Sequence, residues 1–409
     1  MIHSRRDLLK ASLGTSAMFS LSASVPMFMR SIAYAAAKHT STENTVLVVV
    51  QLTGGNDGLN TLVPFDHDAY ARSRHTLRLT RHDVLAINDH FGFHPDMPGF
   101  ERLYKDGHLA VVQSAGCPNN PRNHDPARLN WQTAEPGVKD PQTGWIGRAI
   151  DLTATQAPNR PAGAFVGNIA KPFAMNAAES VVPTIRSDGL VLHHDPTPGL
   201  NAALSVPRDI NSNPMLDFTS RCAIDAAAAQ RRLASSANRP AGNYPAYQLA
   251  DDLRTVARLI RADLGIRLFY VELGGGGIGG FDNHANQKDN HAALLSQLAG
   301  AVTAFVDDLK RDHLLNRVLL MTFSEFGRTV SENGRRGTGH GEAAPMFLAG
   351  GRLAGGLIGP PMNLDDLVDD APRATIDFRR VYATALSQWL RLDSRAILGA
   401  DYAPLAMFT

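Results

Sequence analysis

Cysteine is almost missing from this chain. Only Cys117 and Cys222 occur in 409 residues, so disulfides are not what holds the fold together. One bridge in an oxidising compartment and two buried thiols fit that count equally. Net charge is also nearly absent, at +1, and nothing in its distribution suggests a nucleic-acid partner. There is no cysteine cluster, no haem motif and no complete dinucleotide fingerprint. GGGGIGG at 274 to 280 has the glycines, but it leads into acids that do not favour a pyrophosphate. Beyond the N-terminal region, no segment reads as long and apolar enough to span a bilayer.

What is present begins with MIHSRRDLLKASLGTSAMFSLSASVPMFMRSIAYAAAK. The pair Arg5 and Arg6, a mildly apolar stretch from Ala11 to Met29 and the small residues near Ala35 and Ala37 resemble a twin-arginine export signal. Ser, Gly, Thr and Pro dilute the apolar stretch and weaken its affinity for lipid, so cleavage after Ala35 or Ala37 is expected rather than a retained anchor. Residues 1 to 37 carry Arg5, Arg6, Lys10, Arg30 and Asp7, a net +3, and removing them turns the +1 chain into a −2 one. The expected product is periplasmic or secreted, has no stable membrane span and meets the twin-arginine translocase during export. A polar leader at 38 to 44 precedes the body of the protein. Such export accepts folded proteins, a hint of a cofactor loaded beforehand.

With 44% hydrophobic residues, the remaining chain is able to bury a large core. Runs without polar alternation at 45–52, 109–115, 266–273, 317–324 and 346–351 read as buried parallel strands. Helical periodicity at 126–134, 247–264, 291–313 and 378–392 alternates with them. The fold class predicted is α/β, a mostly parallel central sheet with helices on both faces, forming a single domain over 45–409. Residues 135 to 245, rich in Pro, Ala, Asn and Ser, read as an irregular insertion or cap.

The polar clusters follow the strands. TGGNDGLNT (53–61) follows the first, GCPNNPRNHD (116–125) the second, GGFDNHANQKDNH (279–291) the third and SEFGRT (324–329) the fourth, while GTGHGEAAP (337–345) leads into the last. In an open parallel sheet the carboxyl ends lie along one edge, where ligands bind. Asp57, Asp282, His284, Glu325 and His340 are therefore expected to converge, with His124, His291, Arg122 and Arg328 nearby. Acids and imidazoles held together repel or shift in pKa unless a cation neutralises them, which implies a metal site of one or two divalent ions. Carboxylate with His suits Zn²⁺ or Mn²⁺, and carboxylate with amide oxygen suits Mg²⁺ or Ca²⁺. The glycines let backbone approach closely, and Asn283, Asn286 and Gln287 would support the ligands or meet substrate. Taken singly, Asp57 in NDG is a turn residue and His291 an exposed residue at a helix start. Asp307, Asp308 and Lys310 read as a solvated helix face, and His67, His75, His82, His90 and His94 receive no role.

LTGGNDGLNTLVP, the GxPNxxRxH segment, GGFDNHANQ, TFSEFGRTVSENGRRGTGHG and FRRVYATALSQWL together resemble the exported bacterial proteins grouped as domain of unknown function family 1501, over nearly the whole chain after residue 37. That family is in turn similar to the alkaline phosphatase and sulfatase superfamily, which implies a three-layer sandwich with metal ligands at strand ends. The resemblance implies Asp57 as the ligand after the first strand, Asp282 and His284 as an acid and His pair, Glu325 as a later acid and His340 as a late His. Two departures stand out. Relatives usually read Asn-Arg-Ser-His-Phe where this chain has Pro121, Arg122, Asn123, His124 and Asp125, and Gly-Thr-Asp-His-Gly where it has Gly339 before His340.

The expected function is hydrolysis of an anionic small-molecule or glycan ester, a phosphate or sulfate, by metal-activated water. Arg122 or Arg328 would steady the anion, with Asn123 and His124 at the reacting position. Asn123 cannot form a covalent ester as a serine does, and Thr61 is the fallback nucleophile. The alternative is a non-catalytic exported protein that binds a metal or ligand at a degraded site.

Overall fold

A computed structural model describes residues 45–156, 162–187, 242–274 and 280–409. The expected signal peptide and leader (1–44), residues 157–161, 188–241 with Cys222, and 275–279 lie outside the described residues.

The sheet strands are β1 (Val46–Leu52), β2 (Leu109–Gly116), β3 (Gly163–Val166), β4 (Thr184–Ile185), β5 (Leu268–Leu273) and β6 (Val318–Ser324). A hairpin of β7 (Arg328–Glu332) and β8 (Thr338–His340) stands off the sheet, and β9 (Ala344–Gly350), β10 (Gly356–Ile358) and β11 (Ile376–Asp377) rejoin it. The order across the sheet is β10-β2-β9-β6-β1-β5-β3-β4, with β11 also on β2. β1 lies in the interior, parallel to β5 and β6, and all seven of its residues are buried. Its aliphatic run has no polar alternation because both faces are covered. Val46, Val48, Val50 and Leu52 enter one core and Leu47 and Val49 the other.

The first core is closed by α2 (Pro98–Lys105), α5 (Gln248–Arg261) and α6 (Gln287–Arg311), and the second by α3 (His124–Thr133), α4 (Trp145–Gln156), α7 (Phe378–Thr384) and α8 (Ser394–Leu398). A short α1 (Asp68–Ser73) lies beside the loop that follows β1. These layers make the α/β fold that the strand pattern predicts. α6 is, by length and composition, apolar enough to cross a membrane, contrary to expectation. Its Leu295, Leu298, Val302, Phe305 and Leu309 are instead packed into the first core. Over 135–245, the described parts are built into the body: α4 covers the sheet, and β3 and β4 extend it beyond β5.

One strand differs in direction. β9 runs antiparallel to β6 and β2 rather than parallel. A parallel return needs a crossover of a dozen or more residues, usually helical. Residues 325 to 343 instead form the β7–β8 hairpin, so the chain enters β9 from the edge at which β6 ended. This reversal keeps His340, at the end of β8 and just ahead of β9, at the carboxyl edge.

The solvated face predicted for α6 needs correction at Asp308, which is 1% exposed. Arg261 reaches its Oδ2 at 2.5 Å and the Tyr244 hydroxyl donates to it at 3.0 Å, with Arg311 on the other oxygen. Asp307 is half exposed, against Arg102 at 2.6 Å. Asp308→Ala leaves the buried Arg261 with Asp312 on its Nε but removes its second acid and the acceptor of Tyr244, and should lower unfolding free energy by about 2–3 kcal/mol. Asp307→Ala removes an exposed pair and should lower it by less than about 1 kcal/mol. Urea unfolding of both variants tests the contrast, and equal small effects would contradict this placement.

Candidate metal centre

The loop after β1 turns at Gly54 (φ +113°) and Gly55 (φ +80°). A Cβ on Gly54 would lie 2.5 Å from the backbone nitrogen of Asp282, and one on Gly55 would lie 2.2 Å from the Phe326 ring. Only glycine permits that approach. It brings three strand ends into contact: the Phe281 N–H donates to Thr53 O at 2.8 Å, and the Gly54 N–H donates to Glu325 Oε1 at 2.8 Å.

Asp282 is the node. Arg328 Nη2 donates to its Oδ1 at 2.7 Å, and His284 Nε2 and His340 Nε2 stand 3.0 and 3.2 Å from the same oxygen. His124 Nε2 lies 3.4 Å from Oδ2. The two Nε2 atoms of His284 and His340 are 2.9 Å apart. Phe326 backs the cluster, its ring 4.5 Å from that of His340 and 5.0 Å from that of His124. Burial raises the Asp282 carboxyl, but the hydrogen bond and charge of Arg328, aided by His284 and His124, outweigh it and hold the group below the ordinary range. Burial holds the His284 imidazole below its ordinary value, partly opposed by Asp282. The hydrogen bond to Glu325 raises that of His124, against the effect of burial.

Proton positions follow from the outer partners. His340 Nδ1 faces the carbonyl oxygen of Arg122 at 2.9 Å, so it carries a proton and leaves a lone pair on Nε2. His124 Nδ1 faces Glu325 Oε1 at 3.1 Å, which directs its Nε2 lone pair inward in the same way. Two lone pairs then point at one carboxylate, an arrangement that needs a cation or extra protons between them. Histidines that bind metals typically hold the other ring N–H on a carboxylate or a carbonyl, as both rings do here. Ligands about 2.0–2.1 Å from a tetrahedral ion stand about 3.3–3.5 Å apart, a spacing near the 3.2 Å from His340 to Asp282 Oδ1 and the 3.4 Å from His124 to the other oxygen, Oδ2. Ligand atoms of His124, Asp282 and His340 all lie within 4.8 Å of one another, a trio able to hold one ion. Behind it, Glu325 is fully buried and its Oε2 has no hydrogen-bond partner among the described residues.

The expected ligands are thus partly rearranged. Asp282, His284 and His340 meet, Glu325 supports through His124, and His124 joins the trio. Asp57 is not brought into it. Its carboxylate is 2% exposed and held by both terminal nitrogens of Arg74, at 2.5 and 3.0 Å, while Gln287 Nε2 donates to Oδ2 at 2.5 Å. Arg328 is not free to steady an anion either: beyond Asp282 it bonds the carbonyls of Gly54, Gly55, Phe281 and Thr338. The Arg122 guanidinium bonds the carbonyls of Val368 and Asp369, at 2.5 and 3.2 Å. Asn123 is exposed at the N-cap of α3, where its side chain makes no capping bond. Thr61 is buried and donates to Asp57 O. His291 is not an exposed residue, being 1% exposed with Nε2 3.0 Å from Asn56 Oδ1, and burial drives its imidazole down to about 3. His94, given no role, packs edge-on against it. Arg74 was missed because nothing nearby marks it. The available signal was Asp57 itself, since a buried acid requires a counter-charge.

An α/β sandwich with a carboxylate and imidazole cluster at the carboxyl edge of its sheet is the class these features define. The chain belongs to the family described as Protein of unknown function (DUF1501), whose model matches residues 44–399. No curated protein matches it. Among solved structures, a protein in the alkaline phosphatase superfamily from Vibrio parahaemolyticus is similar with a TM-score of 0.42 and 10% identity, covering 94% of this chain and 79% of that one. The lipoteichoic acid synthase LtaP from Listeria monocytogenes gives 0.42 and 8%, covering 92% and 81%. The C-terminal periplasmic domain of EcEptC from Escherichia coli, in complex with Zn, gives 0.36 and 11%, covering 76% and 74%. Likenesses of this size transfer neither residue roles nor an activity.

Burial pushes the Asp57 carboxyl up, but Arg74, with His291 and Gln287, brings it down to about 2. A carboxyl lowered in the folded state stabilises fully above its unfolded value near 4, and that stabilisation is lost as pH falls through about 2. The shift corresponds to about 2 kcal/mol. Urea unfolding from pH 5 to pH 2 should show the unmodified protein losing about that much more stability than an Asp57→Asn, Arg74→Leu variant. Parallel pH curves would contradict the pairing.

Proposed function

We propose that the chain is an exported, metal-dependent hydrolase of phosphate or sulfate esters. One observation carries the reading: His124 and His340 turn Nε2 toward the Asp282 carboxylate while their Nδ1 atoms face Glu325 and the Arg122 carbonyl. His124, Asp282 and His340 would hold the ion, with His284 beside them, and mixed nitrogen and oxygen donors favour Zn²⁺ or Mn²⁺. When bound, the ion supplies Lewis-acid polarisation of the ester.

The residues themselves have distinct tasks. Arg328 fixes Asp282 and keeps it ionised. Glu325 and the Arg122 carbonyl set the tautomers of His124 and His340. The proposed attacking group is water, because neither residue considered as a nucleophile supplies an exposed hydroxyl: Asn123 carries an amide and Thr61 is buried. Export rests on the twin-arginine start and small-residue cleavage region of residues 1–37.

A second reading, a metal- or ligand-binding protein without turnover, is favoured by Asn123 and by Gly339, where a Cβ would sit 3.0 Å from Thr329 Cγ2. Residues 38–409, purified and analysed by metal mass spectrometry, should carry at least one ion per chain. They should also turn over a chromogenic phosphate or sulfate ester and lose that activity to a chelator. Asp282→Ala should release the ion and lower kcat/KM by more than about 100-fold, beyond the effect of losing a supporting contact. Folded, metal-free, inactive protein would overturn the proposal, and anion binding without turnover would select the second reading.

A further inference from the structure

The arginines that the sequence offers for anion binding are engaged elsewhere, and the neighbouring free cations lie on the β7–β8 turn. Arg335 and Arg336 are exposed and make no ion pair or side-chain hydrogen bond among the described residues. Among the described residues, no ion pair joins them to the acids on either side of the turn. Glu332 accepts the Thr76 and Leu77 N–H groups and the Thr76 hydroxyl, and Asp370 accepts the N–H and hydroxyl of Ser331.

The turn is fixed against the candidate centre. The N–H groups of Asn286 and Gln287 donate to the carbonyls of Arg335 and Arg336, both at 2.9 Å. Asn333 Nδ2 donates to His284 O at 3.0 Å, and its Oδ1 accepts from the Arg335 N–H at 2.9 Å. A Cβ on Gly337 would lie 2.2 Å from the carbonyl carbon of His284. Arg336 has φ +57°, unfavourable for an arginine and retained only where the surroundings impose it.

We propose, resting on the hydrolase reading, that Arg335 and Arg336 bind a second anionic group of the substrate. The substrate class is then an ester bearing at least two phosphates or sulfates, one at the metal centre and one at the turn. Guanidinium pairs suit such tetrahedral oxyanions, and the docked backbone of the turn keeps the bases of both side chains beside the segment that carries His284.

The test is isothermal titration of the metal-loaded chain at fixed ionic strength. One probe pair is a disaccharide with two sulfates or one; the other is a hexose bisphosphate or monophosphate. The chain should prefer one doubly charged ligand by about tenfold or more over its singly charged partner, and the preferred pair identifies sulfate or phosphate. Arg335→Ala with Arg336→Ala should abolish that preference, whereas Arg72→Ala with Arg395→Ala, an equal charge loss at exposed positions outside the site, should keep it. No preference in the unmodified chain, or equal loss in both double variants, would overturn the proposal. Preference without hydrolysis of any ester would sustain it and sink the hydrolase reading alone.

Discussion

The carboxylate of Asp282 is the constraint on which the site depends. Arg328 holds it ionised, and three imidazole nitrogens lie within 3.4 Å of its oxygens. Arg328 is itself 2% exposed, and its remaining donors fasten the loop after β1, the loop after β5 and the hairpin. One guanidinium therefore orders three backbone segments and sets the charge at their meeting point. Glu325 and the Arg122 carbonyl act one layer out, on the outer ring nitrogens of His124 and His340.

Strand direction makes the meeting possible. β1, β5 and β6 run parallel and end side by side. Residues far apart in sequence are thus delivered to one edge by the same geometry that buries the aliphatic runs. His340 arrives by another route, because β9 is entered from that edge. Asp57 and Arg74 form a separate closed pair that joins the first loop to α1, and Gln287 and Thr338 extend it toward the hairpin.

Much of this was legible in the sequence. Both-face burial leaves unbroken aliphatic runs, so five strands and their order of appearance were readable, as was the accumulation of acids and histidines after them. Direction was not readable for residues 344–350, because a buried antiparallel strand between two neighbours has the same composition as a parallel one. Nor does sequence show which arginine meets which acid: Arg74, Arg122 and Arg328 have equal standing as residues, and only the fold assigns them to Asp57, to two carbonyls and to Asp282. Asp308 followed the same logic, since a helix face looks solvated until Tyr244 and Arg261 are seen to close over it. His124 was read as a neighbour of the ligands, and the N-terminus of α3 places it among them.

Anomalous diffraction from crystals of residues 38–409 grown with zinc, recorded on both sides of the zinc edge, measures the central claim most directly. The account predicts a peak bonded to His124 Nε2, His340 Nε2 and a carboxylate oxygen of Asp282, with Asp57 still paired to Arg74. A peak at Asp57, or an empty cluster in which both rings donate Nε2–H to Asp282, would contradict it.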